Sequence, residues 1–175
     1  MSEKIQINNK ILVRSITEDD TEMVVAWRNN PRVINNFLYR GPFNAEIHTN
    51  WLNTKVASGE VVQFIIEFKN DDIENNEFIP VGSVYFRDVN QDDRTAEYGI
   101  FIGEDSVIGQ GVGSAVAKWA VDYAREVMRL KTLRLRVLAD NISAVKSYMK
   151  AGYEVYDTQT DYIDGRDLCM MKVEF

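Results

Sequence analysis

Ile108-Gly109-Gln110-Gly111-Val112-Gly113-Ser114 is the stretch on which the reading of this chain turns. It follows a strand pattern, Thr95 to Ile102, and a short acidic connector. It runs directly into Val112, Val116, Trp119, Ala120, Tyr123, Val127 and Leu130, which recur at helical spacing. Glycines at 109, 111 and 113 let a ligand approach the backbone with no side chain in the way. The N–H groups of a first helical turn have no partner within the helix, and the helix dipole favours an anion there. The stretch therefore reads as a phosphate or pyrophosphate cradle. The competing reading is a plain turn into a core helix, which a glycine cluster alone would leave favoured. Two phosphate motifs are excluded. The Walker pattern requires Lys-Ser/Thr after its last glycine, and Gly113 is followed by Ser114-Ala115. The dinucleotide fingerprint requires two residues between its second and third glycines, and only Val112 stands there.

Composition narrows the classes. A chain of 175 residues fits one domain, 1–175, with a sizeable core. Hydrophobic residues at 45% and charged residues at 27% are ordinary globular values. No apolar run approaches the ~20 residues of a membrane span, so no membrane partner is expected. Met1-Ser2-Glu3-Lys4 lacks the basic-then-apolar order of a signal peptide. The single cysteine, Cys169, has no internal disulfide partner, which suits a reducing cytoplasm. A net charge of −7 leaves no electrostatic footprint for nucleic acid, and leans mildly toward a cationic substrate.

The periodicities predict a strand over Lys10–Ser15 and a helix opened by Thr17 and ending near Arg28, ahead of Pro31. A short helical piece follows over Arg32–Phe37. Asn44 then caps a helix that turns Ile47, Trp51, Leu52 and Val56 inward. Strands are predicted over Val61–Phe68 and Ile79–Arg87, separated by a polar loop from Lys69 to Glu77. After the long helix come a strand, Leu133–Leu138, and a helix from Asp140-Asn141 through Ala151, stopped by Gly152. Tyr153–Tyr162 and Leu168–Phe175 form a hairpin about Asp164-Gly165. The order implies a mixed α/β sheet with helices on its faces.

The glycine stretch resembles the acetyl-CoA pyrophosphate loop of the GNAT N-acetyltransferases, Gln/Arg-x-x-Gly-x-Gly/Ala, with Gly111 and Gly113 on its glycines. The motif's Gln/Arg position falls on Ile108, a departure expected to weaken cofactor binding without abolishing it. Asn141-x-Ser143-Ala144-x-x-x-Tyr148-x-Lys150-Ala151-Gly152-Tyr153 resembles a second block of the family. Ala96-Glu97-Tyr98-Gly99, Trp27-Arg28-Asn29-Asn30-Pro31 and Glu46-x-His48-x-x-Trp51-Leu52 resemble the subgroup that acetylates ribosomal-protein N-termini, amino sugars and polyamines.

The resemblance covers nearly the whole chain. It implies a twisted, mostly antiparallel sheet of about seven strands with helices on both faces. It also implies acetyl-CoA as co-substrate, no metal, and direct transfer of acetyl to a small-molecule or peptide amine. A cytoplasmic monomer or homodimer is the expected form. Ile100, Phe101 and Ile102 would border the pantetheine arm. Gly109, Gln110, Gly111, Val112, Gly113 and Ser114 would hold the pyrophosphate, with Asn141 and Ala144 beside the arm. Trp27, Arg28, Asn35, Asn36 and His48 would line the acceptor site.

Glu97 is the expected base and Tyr148 the expected acid. An ammonium with pKa ~10.4 is neutral only about one part in a thousand at pH 7, so a lysine-like acceptor gains from a base. A phenol with pKa ~10 stays protonated and can donate to a departing thiolate. Each has a structural alternative: an ion pair of Glu97 with Arg87 or Arg94, a core ring for Tyr148, a helix cap for Asn141, and a surface or part-buried ring for His48. A non-catalytic acyl-CoA-binding module is the competing function.

Overall fold

The computed structural model describes residues 4–69 and 77–175. Eight strands form one sheet: β1 (Lys4–Gln6), β2 (Ile11–Ser15), β3 (Val62–Lys69), β4 (Phe78–Asn90), β5 (Thr95–Ile102), β6 (Thr132–Leu138), β7 (Glu154–Ile163) and β8 (Arg166–Glu174). Their spatial order is β1-β2-β3-β4-β5-β6-β8-β7. Only β5 and β6 pair in parallel; every other neighbouring pair is antiparallel. The strand beyond the expected seven is β1. Three residues are too few for a period-two pattern to register. The Asn8 Oδ1 holds its turn, accepting from the Lys10 and Ile11 N–H groups at 2.9 Å each. The expected loop segment Asp71-Asp72-Ile73-Glu74 lies outside the described residues.

Among the described residues, five α-helices cover the two faces. On one lie α4 (Val112–Glu126) and α5 (Ile142–Lys150). Val112, Val116, Ala117, Ala120, Val121 and Ala124 of α4 pack on Ile66, Val84, Phe86, Tyr98, Leu133 and Leu135 of the sheet. This stripe repeats every three or four residues, as an amphipathic helix requires. The helix ends earlier than its pattern implies: Val127 is exposed and Arg129 turns left-handed at φ 56°. Met149 of α5 is likewise exposed.

The opposite face carries α1 (Thr21–Arg28), α2 (Pro31–Ile34) and α3 (Ala45–Trp51), with a π turn over Leu52–Val56. Val24, Trp27, Val33 and Leu52 pack there on Ile65 and Phe101. The inward stripe of α3 starts one residue later than expected, because His48 is buried and Ile47 exposed. His48 Nδ1 lies 3.0 Å from the Thr21 hydroxyl of α1, an inter-helix bond that an isoleucine cannot make. The hairpin turn falls where expected: Asp164 and Gly165 both have positive φ, 52° and 73°.

Candidate active site

The feature that organises the site is the divergence of β5 from β6. The two pair at Thr95↔Thr132, Ala96↔Leu133 and Glu97↔Arg134 and then part. Beyond that point β5 is paired only with β4, through Gly82↔Ile102, and β6 only with β8, through Leu138↔Leu168. The backbone of Tyr98 to Ile102 therefore presents an open edge to a V-shaped gap. An extended chain of amide character can pair along such an edge. Phe101 is buried under α1, and Ile100 and Ile102 pack partly on the α4 side, so all three meet the gap through their backbone.

The glycine loop reaches α4 after β5 and a 3₁₀ turn, Asp105–Val107. Gly109 and Gly111 adopt φ of 79° and 80°, where a side chain is strained. Gly113 is different. It has no left-handed backbone, and a Cβ built on it meets nothing within 4 Å. Neither strain nor packing explains that glycine, whereas an approaching ligand does. Among the described residues, the N–H groups of Gly109, Gly111, Val112, Gly113 and Ser114 donate to no protein acceptor. A pyrophosphate fits this cradle. Gln110 does not contribute as expected, since its N–H donates to Val107 O at 3.2 Å and its side-chain amide to Ser106 O at 2.8 Å. Both are spent bracing the turn. Ser114 bonds Ser147 of α5 through their hydroxyls at 2.7 Å, tying the cradle helix to the helix that carries Tyr148.

Asn141 caps α5, accepting the Ala144 N–H at 3.4 Å, and its amide nitrogen is not engaged among the described residues. The Tyr148 ring packs edge-on against Tyr98 at 5.9 Å and Tyr153 at 6.0 Å. Burial, with Tyr85 close by, pushes its phenol well above the ordinary value, so it carries its proton throughout the neutral range. Its hydroxyl makes no hydrogen bond among the described residues.

Glu97 lies on the other face of β5. Its Oε1 accepts from Arg87, its cross-strand partner, through Nε at 3.1 Å and through Nη2, and from Arg136 Nε and Nη2 at 3.2 Å. Oε2 receives only Arg136 Nε, also at 3.2 Å. The ion pair weighed against a base role is thus formed, with Arg136 added to Arg87. Arg136 is a partner the spacing of β6 alone did not single out.

Two expected acceptor-site residues are inside the protein. Trp27 is 5% exposed, its indole N–H donates to Glu104 Oε1 at 2.7 Å, and its ring fills the space a Cβ on Gly103 would need. His48 is 1% exposed. Burial holds its pKa below the ordinary value, with the Arg28 charge adding to that and Asp20 opposing it. Both side chains are used in packing here, Trp27 on the segment after β5 and His48 between α3 and α1. Asn35 and Asn36 are exposed. Asn36 bonds the Arg32 carbonyl at 3.0 Å, while the Asn35 carbonyl accepts from Arg166 at 2.6 Å and Arg40 at 3.2 Å. These bonds pin the end of α2 to the β7–β8 hairpin. Arg28 lies against the rings of Phe37 and Phe43.

One residue sequence reasoning missed is Tyr85, whose ring occupies the space over Gly99. Its signal was present, because a glycine opposite a tyrosine in antiparallel register leaves room for the ring to cross the strand.

An open mixed sheet, a splayed strand pair and a glycine-rich loop at a helix start are the features that characterise this domain. The acetyltransferase (GNAT) domain family matches residues 10–154. A Methanocaldococcus jannaschii protein of uncharacterized function is 32% identical over 156 residues; the match takes in 86% of this chain and 29% of that protein's length. Acetyltransferase PseH of Campylobacter jejuni is 26% identical, covering 87% of this chain and 90% of that one. Spermidine N(1)-acetyltransferase of Escherichia coli is also 26% identical, over 84% and 74%. The Vibrio cholerae spermidine N-acetyltransferase solved with CoA and spermine superposes with a TM-score of 0.82 at 19% identity, over 95% of this chain and 96% of that one. The chain belongs to the GNAT acetyltransferase domain family.

Proposed function

We infer that this domain transfers the acetyl group of acetyl-CoA directly to a primary amine, with the pantetheine arm along the open edge of β5 and the pyrophosphate on the Gly109–Ser114 loop. The observation that carries this reading is the parting of β5 and β6 after three paired residues, with the glycine loop at the start of α4 and Tyr148 on α5 held together by the Ser114–Ser147 bond. The amine attacks the thioester carbonyl, the tetrahedral intermediate collapses, and Tyr148 protonates the departing thiolate. Glu97 accepts the amine proton only through Oε2, since Oε1 is held by two guanidinium groups. The acceptor is a small-molecule or peptide amine, and amino-sugar, polyamine and peptide termini are the classes the family resemblance offers. A monomer or homodimer in the cytoplasm completes the proposal. No helix among the described residues is long and apolar enough to cross a membrane.

The test is an amine panel read as CoA release, alongside thermal stability with acetyl-CoA. Acetyl-CoA at 100 times its Kd is expected to stabilise the fold by about 2.7 kcal/mol. Stabilisation without CoA release from any amine would favour the binding module instead. No stabilisation by acetyl-CoA or CoA would overturn both readings. The panel also reports on Glu97. If no base acts, an α-amine of pKa ~7.8 outpaces a lysine-like amine by roughly the ratio of their neutral fractions, on the order of 10²-fold at pH 7.

A further inference from the structure

Arg28 is an inward-facing cation without a counter-ion. Its guanidinium carbon lies 3.7 Å from the centre of the Phe37 ring and 4.4 Å from that of Phe43. Its Nε is fully buried with no hydrogen-bond partner among the described residues. Other part-buried arginines are paired: Arg14 with Asp20 and Glu67, Arg87 and Arg136 with Glu97, Arg40 with Asp164, Arg166 with Asp140, and Arg32 with Asp105 and the carbonyls of Ile102 and Gly103. Aromatic rings attract a cation but accept none of its five N–H donors as an oxygen does. An unsatisfied charge of this kind is costly in a folded protein unless something else supplies the acceptor.

The location says what supplies it. Phe37 packs on Phe101 of β5 at 5.6 Å between ring centres. The phenols of Tyr85 and Tyr39 lie close enough to act electrostatically on Arg28, and Arg28 in turn acts on His48. Tyr85 is the residue that lies across Gly99 at the gap, on the same face as Glu97. Arg28 thus stands on the α1–α3 face of the sheet, opposite the face that carries α4 and its glycine loop.

We propose that the acceptor amine carries an oxyanion, carboxylate or phosphate, that docks on the Arg28 guanidinium between Phe37 and Phe43, making Arg28 the residue that selects anionic amines over polyamines. The proposal rests on the acetyltransferase reading and narrows its substrate. A planar guanidinium presents parallel N–H groups that match two oxygens of either anion. A polyamine, cationic at both ends, would be repelled there.

The experiment uses matched probes: glucosamine against glucosamine 6-phosphate, a dipeptide against its C-terminal amide, and spermidine. kcat/KM for CoA release is measured on wild type, Arg28→Gln and Arg28→Lys. Thermal stability with glucosamine 6-phosphate or the dipeptide, in the presence of CoA, gives a readout independent of turnover. The oxyanion-bearing member of one pair is expected to exceed its partner by about 10- to 100-fold, and which pair does so separates phosphate from carboxylate. Arg28→Gln should collapse that ratio to within about threefold, mainly through KM. Arg28→Lys should recover part of it, keeping the charge without the fork. Spermidine as the best acceptor, or a ratio that survives in folded Arg28→Gln, overturns the proposal. If Arg28→Gln does not fold, wild type and Arg28→Lys decide, and equal use of both members of both pairs by wild type overturns it. Failure of the acetyltransferase reading looks different, since no amine releases CoA. In that case stabilisation by an anionic probe that Arg28→Gln abolishes still supports the anion seat, and its absence in wild type overturns it.

Discussion

Tyr148 is where chemistry and packing can be separated by one atom. Phenylalanine keeps the edge-on contacts with Tyr98 and Tyr153. The hydroxyl makes no hydrogen bond among the described residues, so none of the ~0.5–1.5 kcal/mol such a bond contributes is lost. Tyr148→Phe is therefore expected to melt like wild type, to bind acetyl-CoA with near-wild-type affinity, and to turn over about 10²–10⁴-fold more slowly. An acyl donor with a more acidic thiol should recover part of the loss. Unchanged turnover, measured where chemistry limits the rate, would pass the proton to water and leave Tyr148 a core residue.

The glycine loop and the helix it opens make a different kind of test possible. Gly113 sits in helical geometry in the first turn of α4 with open space around its missing side chain. For stability alone, alanine is better there by about 0.5–1 kcal/mol. For a ligand lying on the N–H groups, a methyl is in the way. Gly113→Ala is expected to raise the melting temperature of the free protein while weakening acetyl-CoA, the two effects moving in opposite directions. Calorimetric melting and a titration with acetyl-CoA check both; tighter or equal binding would remove the cradle from the pyrophosphate. Gly111→Ala, at φ 80°, is the contrasting change, since it costs stability by straining the backbone.

The sheet divides the protein into two cores, and the α1–α3 side is polar enough to answer to pH. His48 is the only histidine in the chain. Burial keeps its ring neutral, so the unfolded chain takes up its proton more readily than the folded one. Stability from this site is therefore present above about pH 6.5 and declines as pH falls below it. Asp20 acts lower. Burial pushes its pKa up, but hydrogen bonds from Arg14 and the Thr17 N–H outweigh it and leave the value lowered. Its contribution is present above the unfolded value of ~3.9 and is lost as pH falls through the folded value. Melting temperature against pH should thus decline in two stages. His48→Gln should flatten the stage between pH 7 and 5.5 and leave the acid stage. Equal slopes in that window would show that His48 does not titrate on unfolding.

Local pattern alone determined the longer strands, the α4 stripe, the glycine turn that opens α4 and the Asp164-Gly165 turn, because each depends on residues a few positions apart. The family match likewise rested on two contiguous blocks, around Gly111 and Tyr148. The fold alone decided which residues within each element work. His48 rather than Ile47 faces inward because Thr21 is there to meet it, and Trp27 is structural because Glu104, 77 positions away, takes its N–H. Glu97 carries two arginines because β4 and β6 flank it, a pairing no spacing along the chain encodes. Arg28 shows the same limit from the other side. Its sequence context offers an acceptor-site residue or a helix end, and its unpartnered Nε emerges only once Phe37 and Phe43 are folded around it. Secondary structure follows from short-range periodicity, whereas charge pairing and burial depend on which distant segments the sheet brings together.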